Sequence, residues 1–152
     1  MFELVWRFVY KIYFKNRIVS LLDSVRCKDD FLYMSEKEFT GVITLMLTRK
    51  GYKVEATDRC GEQEGGLFIN GVIFAEMHKE SLSHLIEKET AMKLSQCMRE
   101  SGIYRGMLIT TGDYRNSTRL YCGRNVIECL NGDRLLDMCR DVQRAKAFAV
   151  AH

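Results

Sequence analysis

Apolar positions along the chain change period several times, and each change predicts an element. Residues 2–22 (FELVWRFVYKIYFKNRIVSLL) mix aromatic and branched residues with Arg7, Lys11 and Lys15, spaced four apart. At about 100° per residue the three cations fall on one side of a helix, so the stretch reads as basic and amphipathic. Residues 23–35 are more polar and form a connection. Ser35 and Glu38 have the spacing of a capping box, followed by apolar Phe39, Val42, Ile43, Met46 and Leu47 until Gly51 stops the helix. Tyr52–Thr57 alternates as a strand. After a polar loop, residues 65–79 (GGLFINGVIFAEMHK) read as two strands around Asn70-Gly71, a strong hairpin signal. Helices are expected over about 83–101, 115–122 and 134–149, with strands at about 106–111 and 126–130 between them. Strands alternating with helices predict an α/β sandwich.

Composition narrows the classes. A chain of 152 residues with 47% hydrophobic residues suffices for one well-buried core, and a second large domain is not expected. The formal charge of +3 makes any nucleic-acid surface a local one. Six scattered cysteines, with no C-x-x-C and no histidine at zinc-like spacing, read as reduced thiols in a cytoplasmic protein. The N-terminal stretch is too often interrupted by charge to span a membrane and lacks a signal-peptide cleavage pattern. Its remaining roles are packing on its own domain or on a second copy, lying on a membrane surface, and touching DNA.

The hairpin carries the candidate chemistry. A two-residue turn pairs Ile69 with Val72 and Leu67 with Phe74, which places Leu67, Ile69, Val72, Phe74, Glu76 and His78 on one face. Glu76 and His78 then stand together at the open end, a carboxylate and an imidazole able to hold a divalent ion or to divide acid and base roles. Two groups are few for a metal, and Glu64, Glu62 and Asp58 in the preceding loop are the carboxylates that could join Glu76.

From about Ser35 to Met138 the chain resembles the Mrr-like restriction endonuclease group of the PD-(D/E)xK nuclease fold. Phe39 followed by Gly51-Tyr52-Lys53-Val54 resembles that family's opening helix and strand. Gly65-Gly66-Leu67 and Ala75-Glu76-Met77-His78 sit where it has "G-x-D" and "Q-x-K" or "E-x-K". Residues 106–112 (GMLITTG) and 126–135 (VIECLNGDRL) resemble its later strands. The resemblance implies a central mixed β-sheet flanked by helices over 35–152, with residues 1–34 as an added amphipathic helix and connection. It also implies a prokaryotic setting. The departures fall at the chemistry: Leu67 stands at the metal-binding aspartate and His78 at the catalytic lysine, so only Glu76 keeps a metal-competent group.

The first reading is therefore a catalytically degenerate nuclease-fold protein that binds DNA or a protein partner, with no cofactor. Lys79, Arg105, Arg115, Arg119 and Arg124 are its candidate DNA contacts, and Thr110-Thr111-Gly112 a candidate phosphate-cradling turn. The second is a metal-dependent endonuclease whose Mg²⁺ or Mn²⁺ is held by Glu76 and Glu64, with His78 as base. The third is a homodimer or membrane-associated protein acting through residues 1–24.

Overall fold

A computed structural model describes residues 1–57 and 66–151. Helix α1 (Phe2–Ser24) and the short α2 (Asp29–Leu32) lead into α3 (Glu36–Arg49). The capping box forms as its sequence predicts. Ser35 Oγ accepts from the Glu38 N–H at 3.1 Å, and Glu38 Oε1 accepts from the Ser35 N–H at 2.9 Å. Gly51, at φ 99°, ends the helix in the left-handed region.

Strands β1 (Val54–Thr57), β2 (Gly66–Ile69), β3 (Ile73–His78), β5 (Arg105–Thr110) and β7 (Ile127–Leu130) form one sheet in that order. The first two pairings are antiparallel and the last two parallel, giving a mixed sheet. Helices α4 (Lys88–Glu100) and α5 (Asn116–Arg124) make the parallel crossovers and cover one face. Their apolar sides pack with Phe74, Leu108 and Ile127. Helices α1, α2, α3 and α6 (Gly132–Ala151) cover the other, where Leu22, Phe31, Ile43, Leu67, Ile109 and Leu135 are almost fully buried. The C-terminal half of α1 thus belongs to the same core as α3.

Two expectations change. The helix predicted from residue 83 begins only at Lys88, because Leu85–Ile86 (β4) pairs in parallel with Asp113–Tyr114 (β6). Ile86 is buried and its carbonyl accepts from the Arg115 N–H and the Thr118 hydroxyl, so tertiary pairing overrides local helix preference. Cys97 is disulfide-bonded, against the expectation of six reduced thiols, while Cys27, Cys122, Cys129 and Cys139 are free.

The hairpin register also differs from expectation. Asn70 and Gly71 adopt φ 54° and 70°, as an Asn-Gly turn requires, and the Val72 N–H bonds to the Ile69 carbonyl. Val72 nevertheless stays outside the ladder, half-exposed, and Ile69 pairs with Ile73, Phe68 with Phe74 and Leu67 with Ala75. The extra residue lets Leu67, Ile69, Ile73 and Ala75 all enter the larger core. Asn70 is pinned to the neighbouring chain, its N–H donating to the Lys53 carbonyl and its Oδ1 accepting from the Lys53 N–H.

Candidate functional site

One step of register moves every β2 side chain to the other face of the sheet. Leu67, expected beside Glu76, lies instead on the opposite face, 2% exposed, in the core between β1 and β3. Glu76 and His78 are two apart on one strand, so they share a face whatever the register. That face belongs to Phe68 and Phe74. Continued one step beyond its last pair, Leu67 with Ala75, the β2–β3 ladder would set Gly66 opposite Glu76. A Cβ there would lie 2.7 Å from the Phe74 ring, so the aromatic fills the space above it.

In the parallel ladder Glu76 pairs with Leu108 and His78 with Thr110. The two side chains meet: His78 Nε2 lies 3.2 Å from Glu76 Oε1, with side-chain exposures of 12% and 28%. The contact has the distance of an ion pair without the angle of a hydrogen bond, and the buried Nε2 has no hydrogen-bond partner among the described residues. Glu64, Glu62 and Asp58 lie outside the described residues. Among the described residues no three His, Cys, Asp or Glu side chains gather to hold a metal ion. Glu76 and His78 therefore do not fit a Mg²⁺ or Mn²⁺ site by themselves, since such ions are held by several oxygen ligands.

The candidate cations separate. Lys79, past His78, turns to the other side of the sheet and donates to the Met34 carbonyl at 2.8 Å. Arg115 caps α5 and approaches Glu87 at 3.7 Å, while Arg119, one turn on, pairs with Asp113. These three lie at the C-terminal ends of the parallel strands, the end at which His78 closes β3. Arg105 opens β5 and Arg124 closes α5, which puts both at the far end of the sheet. The five do not form one contact surface.

Nor does residues 110–112 form a phosphate cradle. The Thr111 N–H donates to the His78 carbonyl and the Gly112 N–H to Thr110 Oγ1, and the Thr111 hydroxyl bonds to Glu80. A Cβ on Gly112 would lie 2.3 Å from the His84 carbonyl oxygen, so the glycine answers close backbone packing. This turn instead builds a polar lock absent from the sequence reading. Asp113 Oδ1 accepts from the Tyr114 N–H, the Asn131 amide and Arg119. Burial pushes its carboxyl up, but these donors outweigh it and hold Asp113 below the usual carboxylate range. The buried Tyr114 hydroxyl lies 2.5 Å from the Leu108 carbonyl and 2.8 Å from that of Leu130. An aspartate beside an aromatic after a strand-end glycine was the available signal, but its partners are distant in sequence.

A cavity of about 470 Å³ opens elsewhere, on the Leu67 side of the sheet, lined by Leu47, Lys50, Glu128, Arg134, Asp141 and Arg144. It includes neither Glu76 nor His78.

Comparison with known proteins gives a family. Residues 31–139 match the Mrr catalytic-domain model, described as a restriction endonuclease. Among solved structures, the chain is similar to AF1548, a protein of unknown function, at TM-score 0.49 and 14% identity over 59% of this chain and 54% of that one. It is also similar to the MspJI restriction endonuclease, solved in complex with a 27-mer oligonucleotide, at TM-score 0.47 and 11% identity. That match covers 79% of this chain and 35% of MspJI. The chain thus spans about half or less of the length of these structures. A search of curated proteins finds no match. With the family model covering more than half of its length, this chain belongs to the restriction endonuclease family of the Mrr catalytic-domain type.

Proposed function

We propose that this nuclease-fold domain binds DNA at the C-terminal ends of its parallel strands and does not cleave it. The placement of Leu67 carries the reading: at the expected aspartate position stands a core leucine facing away from Glu76. Glu76 keeps only His78 beside it among the described residues, and a hard cation lacks its second carboxylate. Phosphate contact needs no metal. Arg115 and Arg119 project from the first turns of α5 at the same end of the sheet as His78, both exposed. Two or three such contacts give weak, salt-sensitive binding, with log K falling at a slope of roughly −2 to −3 against log salt.

One observation favours a second reading. Among the described residues His78 Nε2 beside Glu76 has no hydrogen-bond partner, an incompletely satisfied pair that a cation held with another carboxylate would complete. In that reading Glu64 supplies the second acid and His78 the base of a metal-dependent endonuclease.

Supercoiled plasmid incubated with the full chain and Mg²⁺ or Mn²⁺, beside Glu76→Ala, separates the two. The first reading expects no nicking above the Glu76→Ala background, and a gel shift that weakens with salt and with Arg115→Ala. Metal-dependent nicking lost in Glu76→Ala overturns it in favour of the second.

A further inference from the structure

Helix α1 changes character halfway. Buried Ile18 and Leu22 mark the side that faces the domain. In the C-terminal half the opposite side carries Asn16 and Ser20, both exposed, the ordinary arrangement of a surface helix. At about 100° per residue, the N-terminal half turns apolar residues outward and its cations inward, with exposed Leu4 and Phe8 on the inward side as well. Arg7 and Lys11 fall within roughly 20° of the Ile18 direction, while Phe2, Val5, Trp6, Val9, Ile12 and Tyr13 fall within roughly 60° of the outward direction. All six are solvent-exposed, from Ile12 at 47% to Phe2 at 91%. Nothing among the described residues covers them, and the domain lies on the side of the cations.

We propose that the first half of α1 lies in the surface of an anionic lipid bilayer, outward face down and domain above. Three features favour lipid over a second copy. The apolar arc is much wider than the seam of a two-helix coil, which takes two positions in seven. It is rich in Phe, Trp and Tyr, whose apolar rings and polar tips suit the headgroup boundary. Arg7, Lys11 and Lys15 stand at its back and flank, where their stems reach phosphates while the opposite face enters the acyl region. Phe2–Tyr13 is roughly 18 Å long, against about 30 Å of hydrocarbon. No helix among the described residues is long and apolar enough to cross a membrane, and the orientation proposed is flat in the interface.

The test uses the full chain and its single tryptophan, Trp6. Vesicles of phosphatidylcholine with phosphatidylglycerol are added at low salt, and Trp6 emission and its quenching by brominated lipid are followed. The expected result is a blue shift with quenching, abolished by the pair Val9→Glu and Ile12→Glu. The pair Arg7→Gln and Lys11→Gln should weaken binding to these vesicles roughly 30-fold. All four positions are exposed and outside the core, so circular dichroism should be unchanged. Unaltered Trp6 emission with these vesicles overturns the proposal. So does a blue emission that needs no lipid and disappears on dilution, which would mark a second copy as the occupant, or binding that survives the two glutamates.

Discussion

Replacing Leu67 with aspartate separates the two hairpin registers. With a two-residue turn, Leu67 would share the Glu76 face and Leu67→Asp would restore a carboxylate pair at modest cost. In the observed register the side chain is 2% exposed between Ala56 and Ala75, within the core formed with α3 and α6. Truncating a buried leucine costs about 2–5 kcal/mol. A carboxyl with no partner there adds either its ionised desolvation cost or a pKa raised by roughly 3 units, about 4 kcal/mol at neutral pH. The sum, about 6 kcal/mol or more, approaches the whole stability of an ordinary domain. The melting temperature should fall by roughly 12 °C or more, or the variant should not fold. The sign with pH follows from the raised folded-state pKa: the charge penalty is full above it and vanishes as pH falls toward the unfolded value near 4. Leu67→Asp should therefore converge on Leu67→Asn between about pH 7 and pH 4. Gly66→Asp is the companion. It lies on the Glu76 face and must displace the Phe74 ring, at about 1–3 kcal/mol. Thermal and urea unfolding of the variants provide the measurement. A Leu67→Asp protein melting within a few degrees of wild type, with Gly66→Asp the worse of the two, would refute the observed register and the siting of Glu76 built on it.

Three further outcomes follow from close contacts. Gly132→Ala should destabilise by about 3 kcal/mol or more, because its Cβ would lie 2.2 Å from the Thr111 carbonyl oxygen; Gly123→Ala, with open space and a helical position, should stabilise by about 0.5–1 kcal/mol, and urea midpoints compare them. Tyr114→Phe removes a buried hydroxyl shared by the Leu108 and Leu130 carbonyls and should cost about 1–2 kcal/mol with an unchanged denaturant slope. Asp113 and Glu38 are both held below their usual ranges. For Asp113 burial opposes the Tyr114, Asn131 and Arg119 donors, and for Glu38 the Ser35 N–H leads and Arg17 adds. Their stabilisation is present above the unfolded values of 3.8 and 4.5 and is lost as pH falls through the lower folded ones. An Asp113→Asn variant should show a shallower loss of stability below about pH 4, measured by thermal melts across pH.

The legible parts of the fold were those encoded within one segment. The capping box at Ser35, the apolar spacing of α3 and the left-handed Asn70-Gly71 pair each need only neighbouring residues. β4 and β6 are two-residue strands held by pairing 28 positions apart, from Leu85 to Asp113, and no local period encodes such a pair. The same limit applied to the cations. Arg115 and Arg119 share one turn of helix and stay together, whereas Arg105 and Arg124 join them in sequence only by charge and lie at the other end of β5. Glu76 and His78 were found as a pair because two-residue spacing fixes their common face. What stood across from them depended on one extra residue, Val72.

That dependence changes what placing a second carboxylate beside Glu76 on this sheet would require. Leu67 is not the position to alter, since its side chain belongs to the other core. The position facing Glu76 is Gly66, and its missing side chain is matched by the Phe74 ring, itself 2% exposed and part of the core under α4 and α5. A carboxylate at Gly66 therefore competes for volume with an aromatic that stabilises the fold. Removing that ring to make room would cost about 3–5 kcal/mol by itself. The sheet thus opposes a second acid beside Glu76 through packing. A carboxylate that joins Glu76 would have to reach it from outside the β2–β3 ladder, which makes the outcome of metal-dependent nicking a test of the polar residues before Gly66, Glu64 first among them.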